Sequence, residues 1–140
     1  MQIDVVHDLT GVSDKLGQLA AGLDDLTPVM QAIGAVVEGS TRERFSTKTA
    51  PDGSSWADLK PSTLEAKNGR GGILVDRGDL MRSITTFASS TSVSVGTDRP
   101  YAKYHQTGTP NMEQREIFGL SSDDVTDIQA LLNDFMSDLL

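Results

Sequence analysis

Apolar residues recur every three or four positions in two long stretches and alternate with polar ones in a third, which predicts a mixed α+β chain. Val29, Met30, Ile33, Val36 and Val37 share one face of a run from Thr27 to Phe45. Thr27 can cap that helix and Pro28 suits its first turn. Arg42 and Arg44 fall in its last turns, where cations favour the negative end of the dipole. Near the C-terminus Val125, Ile128, Leu131, Leu132, Phe135, Met136 and Leu139 form one wide apolar stripe. Ser121-Ser122-Asp123-Asp124 supplies cap candidates and acids for its first turn. Between these helices, Ile84–Ala88 and Ser92–Gly96 alternate cleanly around the polar Ser89-Ser90-Thr91, a hairpin signal.

The weaker segments fill in the rest. Gln2 to His7 alternates and reads as a first strand. Leu9 to Leu23 has helical spacing, weakened by Gly17 and Gly22 at about 1 kcal/mol each relative to Ala. Ile73-Leu74-Val75 is strand-like, Asp79 to Ile84 a helical turn, Pro100 to Gln106 a short helix stopped by Gly108 and Pro110, and Arg115 to Phe118 an edge strand. The expected architecture is one α+β domain over residues 1–140. It has an antiparallel sheet of about four strands, packed by the Thr27–Phe45 helix and the C-terminal helix.

Three polar segments, near 46–56, 68–72 and 107–114, are expected to be mobile loops free to order on assembly. In the first, Pro51-Asp52-Gly53 fits a tight turn, with glycine at positive φ. Trp56, the single tryptophan, follows it as a core anchor or an interface anchor. In the second, Asn68-Gly69-Arg70-Gly71-Gly72 lacks the strand before, the helix after and the lysine position of a phosphate cradle.

Composition narrows the function classes. Cysteine is absent, which removes disulfides and thiolate metal sites. No basic n-region with an apolar core opens the chain, and no run approaches bilayer length, so a soluble protein made in a cytoplasm is expected. The net charge of −8 argues against tight nucleic-acid binding. Its distribution says more. Residues 1–41 hold one base against six acids and residues 116–140 none against six, whereas residues 42–115 hold eleven bases against eight acids. Acidic helical ends therefore flank a mildly basic centre. That is an ordinary solvated surface, a charge match between copies, or the wall of a passage that must not grip DNA.

His105 is the obvious catalytic suspect, yet no G-x-S-x-G motif, no paired histidine motif and no spaced nucleophile accompanies it. The simpler reading has His105 and Gln106 satisfying backbone groups beside a glycine turn, with Tyr101 and Tyr104 packing nearby. Asp76, Arg77, Arg82 and Arg99 can form ion pairs around the same loops. Within one chain such pairs contribute about 0–1 kcal/mol each, and between subunits they set register. No cofactor is expected.

The middle of the chain carries motifs in a fixed order. Asp52-Gly53-Ser54-Ser55-Trp56 gives D-G-x-x-W, and Leu74 to Ile84 gives L-V-D-x-G-x-L-x-x-S-I. Val95-Gly96-Thr97 closes a strand, and Tyr101 to Gly108 gives Y-A-x-x-H-Q-x-G. Over roughly residues 40 to 124 this order resembles the phage virion morphogenesis (tail completion) family of Mu-like phages and prophages. One departure is at Arg115-Glu116-Ile117-Phe118-Gly119-Leu120-Ser121, where the family usually reads P-x-R-x-F-L-G-L-S. The resemblance implies a structural neck or tail-completion subunit of the virion, assembled in the bacterial host cytoplasm. It implies a ring of identical copies, for which a hexamer is one candidate, that meets the tail tube and head-neck connector proteins. DNA would pass through the ring without sequence-specific binding, and no membrane is involved. Interface candidates are Trp56, Arg70, Arg77, Arg82, Arg99, Tyr101, Tyr104, His105 and Gln106. The rival readings are a head-side adaptor or stopper, and a small hydrolase using His105.

The C-terminal stripe gives a direct test. Leu132→Asp should lower the melting temperature or detach the helix, while Asp127→Lys on the polar face should leave it nearly unchanged. Equal melting temperatures for Leu132→Asp and wild type would contradict the pattern.

Overall fold

The computed structural model describes residues 10–58, 79–110 and 112–138. In chain order these hold α1 (Thr10–Gly22), α2 (Thr27–Thr47), a one-turn α3 (Asp79–Arg82), β1 (Thr85–Ala88), β2 (Val93–Gly96), a short α4 (Ala102–Thr107) and α5 (Ser122–Asp138). The expected strands at Gln2–His7 and Ile73–Val75, and the loop at 68–72, lie outside the described residues.

α2 is the axis of the molecule. Its 21 residues span about 31 Å at helical rise, long enough to serve two separate apolar clusters. At its N-terminal half Val29, Met30 and Ile33 pack with Val12 and Leu19 of α1 and Ile128 and Leu132 of α5. At its C-terminal end Phe45 joins Ala50, Trp56, Leu80, Ile84, Ala102, Ile117 and Phe118. The first group is a helical layer built by periodicity. The second gathers residues from loops and short elements.

The ends of α2 differ in detail from the sequence expectation. Thr27 is the first helical residue and does not cap. Asp25 Oδ1 instead accepts from the Thr27 N–H at 2.9 Å and from its hydroxyl at 2.7 Å. At the other end Lys48 takes a left-handed conformation (φ 59°, ψ 42°), and its N–H closes on the Arg44 carbonyl.

β1 and β2 form a two-stranded antiparallel sheet in which Thr86 faces Val95 and Ala88 faces Val93. Those four share one face, and the hairpin lies against α2. One contact is at Gly34, whose carbonyl accepts from Thr86 Oγ1 at 3.2 Å. Arg42 Nη2 adds a second tie, donating to the Ile84 carbonyl at 2.7 Å. This is what Arg42 does at the end of α2 besides facing the dipole.

Among the described residues the sheet has two strands, and Arg115–Phe118 is not one of them. That segment's backbone groups are taken instead by the Gln106, Arg44 and Trp56 side chains and by the His105 carbonyl. Ser89 and Ser92 close the hairpin through the Ser89 N–H to Ser92 carbonyl bond and several side-chain bonds.

A Cβ at Gly34 would overlap the Thr86 methyl and approach a Val93 methyl at 3.0 Å, whereas one at Gly39 meets nothing within 4 Å. Glycine-to-alanine changes in a helix interior normally stabilise by roughly 0.5–1 kcal/mol. Gly39→Ala should therefore stabilise and Gly34→Ala should destabilise, a difference of sign readable by urea denaturation.

Candidate functional site

The motif-bearing residues converge on one corner of the molecule, around α4 and the end of α2. Ala102 is fully buried and anchors α4 to the core. One turn later the side chain of Gln106 does the work of a missing strand. Its Oε1 accepts from the N–H of Ile117 at 2.9 Å and of Phe118 at 3.0 Å, and its Nε2 donates to the Phe118 carbonyl at 2.7 Å. Arg115 continues the same segment in the other direction, with Nε on the Ala57 carbonyl and Nη2 on the Asp58 carbonyl. The Arg115 N–H returns to the His105 carbonyl at 2.7 Å.

Trp56 lies inside this corner. It is 5% exposed, meets Phe45 edge-on at a centroid separation of 5.6 Å, and donates Nε1–H to the Glu116 carbonyl at 2.8 Å. Its ring therefore packs in the core of the single chain. The 46–56 loop is likewise tied down. Thr49 bridges Ser55, the Trp56 N–H reaches the Lys48 carbonyl, and Asp52 Oδ1 accepts from the Ser54 N–H and hydroxyl. Those bonds lower the Asp52 pKa, and Gly53 takes positive φ (89°) in the turn.

His105 is half-buried, edge-on to Tyr101 at 6.4 Å, and among the described residues its Nδ1 has no hydrogen-bond partner. Burial, then the nearby Arg115 charge, depress its pKa below the ordinary value. Among the described residues neither a carboxylate nor a hydroxyl holds that nitrogen. Among the described residues no group of three or more His, Asp or Glu side chains is placed to hold a metal.

The other interface candidates are at the surface. Tyr101 and Tyr104 are 41% and 44% exposed, and Lys103 Nζ lies 5.1 Å from the Tyr104 ring centre. Arg82 pairs locally with Asp79 at 3.1 Å and Arg99 with Asp98 at 3.7 Å. Exposed pairs of this kind add little to stability. Arg70 and Arg77 lie outside the described residues.

One residue pair of consequence was not legible as such. Arg44 is buried. It donates to Asp124 Oδ2 at 2.9 Å and to the Ile117 carbonyl at 2.7 Å, with the pair's side chains 6% and 2% exposed. Burial pulls the guanidinium pKa down, and the Asp124 charge opposes that. The signal available in the sequence was Ser121-x-x-Asp124, a capping box. Ser121 Oγ accepts from the Asp124 N–H and Asp124 Oδ2 from the Ser121 N–H.

Comparison with known proteins now bears on this corner. The profile of the phage virion morphogenesis family matches residues 7–137. The chain belongs to that family. Mu-like prophage FluMu G protein 1 of Haemophilus influenzae is 28% identical over 144 residues, covering 99% of this chain and 98% of that protein. FluMu G protein 2 of the same organism is 30% identical over 77% of this chain and 69% of its own length. The "Putative capsid assembly protein G" of Escherichia phage Mu is 30% identical over 82% of this chain and 77% of its own length. No solved structure matches.

Within this virion morphogenesis protein the motifs spell the loop-built core. Trp56, Leu80, Ile84 and Ala102 are its apolar members, and Ser83 and Thr97 share a hydroxyl hydrogen bond. Gly108, at φ 74°, has no room for a side chain, since a Cβ would lie 3.1 Å from the Gln114 backbone nitrogen. Gln106 is the polar keystone of the set. Gln106→Leu should leave two buried N–H groups and one carbonyl without partners, lowering unfolding free energy by roughly 2–4 kcal/mol. Amide exchange at Ile117 and Phe118 should accelerate. Unchanged stability and exchange would show that the clamp is dispensable.

Proposed function

We propose that this phage virion morphogenesis protein is a neck or tail-completion subunit, acting as a terminator-like ring of identical copies between tail and head. The observation that carries the reading is family membership over nearly the whole chain. The geometry of the motif corner supports it. Gln106, Arg115 and Trp56 hold backbone carbonyls and amides and so tie the corner together. Such an arrangement fixes a scaffold and leaves surfaces for docking. The phage Mu relative, whose name speaks of capsid assembly, favours a second reading, a head-side adaptor or stopper. In either place the partners are other copies and neighbouring virion proteins. The acidic balance suits a wall past which DNA slides without being held.

The two readings separate in a binding assay with particles that lack the protein. Purified full-length chain, mixed separately with isolated tails and with DNA-filled heads, should sediment with tails and restore joined particles on later addition of heads. Sedimentation with heads alone would move the subunit to the head side. Binding to neither, with no gain in joined particles, would overturn the structural assignment.

A further inference from the structure

The outer face of α5 carries a shallow groove of about 410 Å³ lined by Asp127, Ala130, Leu131, Asp134, Phe135 and Asp138. These positions follow one another at helical spacing, so they form one continuous stripe. Leu131 and Phe135 are half-buried and make an apolar floor, and three exposed carboxylates rim it. No lysine or arginine occurs anywhere from residue 116 to the end of the chain, so nothing on this helix neutralises the rim.

A surface of opposite character projects from the other core. Around α4, Tyr101 and Tyr104 stand half-exposed, with Lys103 between them in sequence and Arg99, which also pairs with Asp98 at 3.7 Å, two residues before Tyr101. The patch is rigid at its base because Ala102 is fully buried, while Tyr101 leans edge-on against His105 and Lys103 lies over Tyr104. Aromatic rings flanked by cations are the side chains that dominate protein interfaces. α4 sits on the loop-built core and α5 on the helical layer, so each copy carries both surfaces on different parts.

We propose that the α4 patch of one copy seats in the α5 groove of the next. The tyrosines cover Leu131 and Phe135, and Arg99 and Lys103 meet Asp127, Asp134 and Asp138. The occupant is a second copy because the required chemistry, aromatic and cationic against apolar and anionic, is complete within one chain. Two different complementary patches make a head-to-tail contact, the type that closes into a ring. This inference deepens the ring reading and rests on it. It also gives the charge asymmetry of the chain a use: the acidic C-terminal helix and the basic centre are opposite halves of one joint.

The test uses two full-length variants and sedimentation velocity across a range of concentration and salt. One has the groove reversed (Asp127→Lys, Asp134→Lys, Asp138→Lys) and the other the patch reversed (Arg99→Glu, Lys103→Glu). All five residues are exposed. Each variant alone should self-associate at least about tenfold more weakly than wild type, because like charges then face each other. An equimolar mixture should recover association, since each variant's patch fits the other's groove, and the recovery also shows that both are folded. Wild-type association should weaken as salt rises. Variants that associate as wild type does, or a mixture that fails to recover, would overturn this contact while leaving a ring through other surfaces intact. Wild type that stays monomeric at every concentration would overturn the contact and the ring reading together.

Discussion

The buried ion pair between Arg44 and Asp124 is the constraint on which the arrangement of the rest depends. Arg44 sits near the end of α2, Asp124 in the first turn of α5, and the guanidinium also holds the Ile117 carbonyl. One side chain thus joins the long axial helix, the extended segment of the loop-built core and the start of the helix that completes the other core. Asp124 in turn fixes where α5 begins, through its reciprocal bonds with Ser121. A pair buried this deeply gains little net free energy, because desolvation offsets the attraction. What it supplies is register: neither charge can be left alone in that interior without a cost of about 3–5 kcal/mol.

From this node the division of labour follows. The helical layer is held by apolar periodicity, with Leu19, Val29 and Leu132 fully buried. The loop-built core is held by polar clamps, because its segments are too short and irregular to satisfy one another through a sheet. Gln106, Arg115 and Trp56 supply those clamps. The consequence for function is that two outward surfaces, the aromatic-basic patch at α4 and the acidic stripe of α5, are set at fixed positions on a rigid frame.

The helices and the hairpin were legible because their patterns are local. The α2 face, the α5 stripe and the alternation of Thr85–Ala88 with Val93–Gly96 each repeat within a single element. The expectation failed where a long-range partner decided the outcome. Arg115–Phe118 has the apolar character of an edge strand, but the Gln106 side chain takes the backbone bonds that a strand would have given. Arg44 read only as a cation at the negative end of the helix dipole, because nothing local announces an acid 80 positions away. Trp56 admitted both a core and an interface role, and its partner in the core, the Glu116 carbonyl, lies 60 positions away. Of the candidate site, the motif order named residues that the structure gathers around α4 and the end of α2, with Tyr101 and Tyr104 at the surface. It did not separate residues that hold the corner together from residues that face outward.

The most direct measurement is a double-mutant cycle on the central pair, Arg44→Met and Asp124→Leu, followed by denaturant unfolding. The account predicts that each single change is severe and that the double change costs less than their sum, with a coupling free energy above about 1 kcal/mol. Additive losses, or single variants as stable as wild type, would contradict it, since the two cores would then be aligned by something other than this pair.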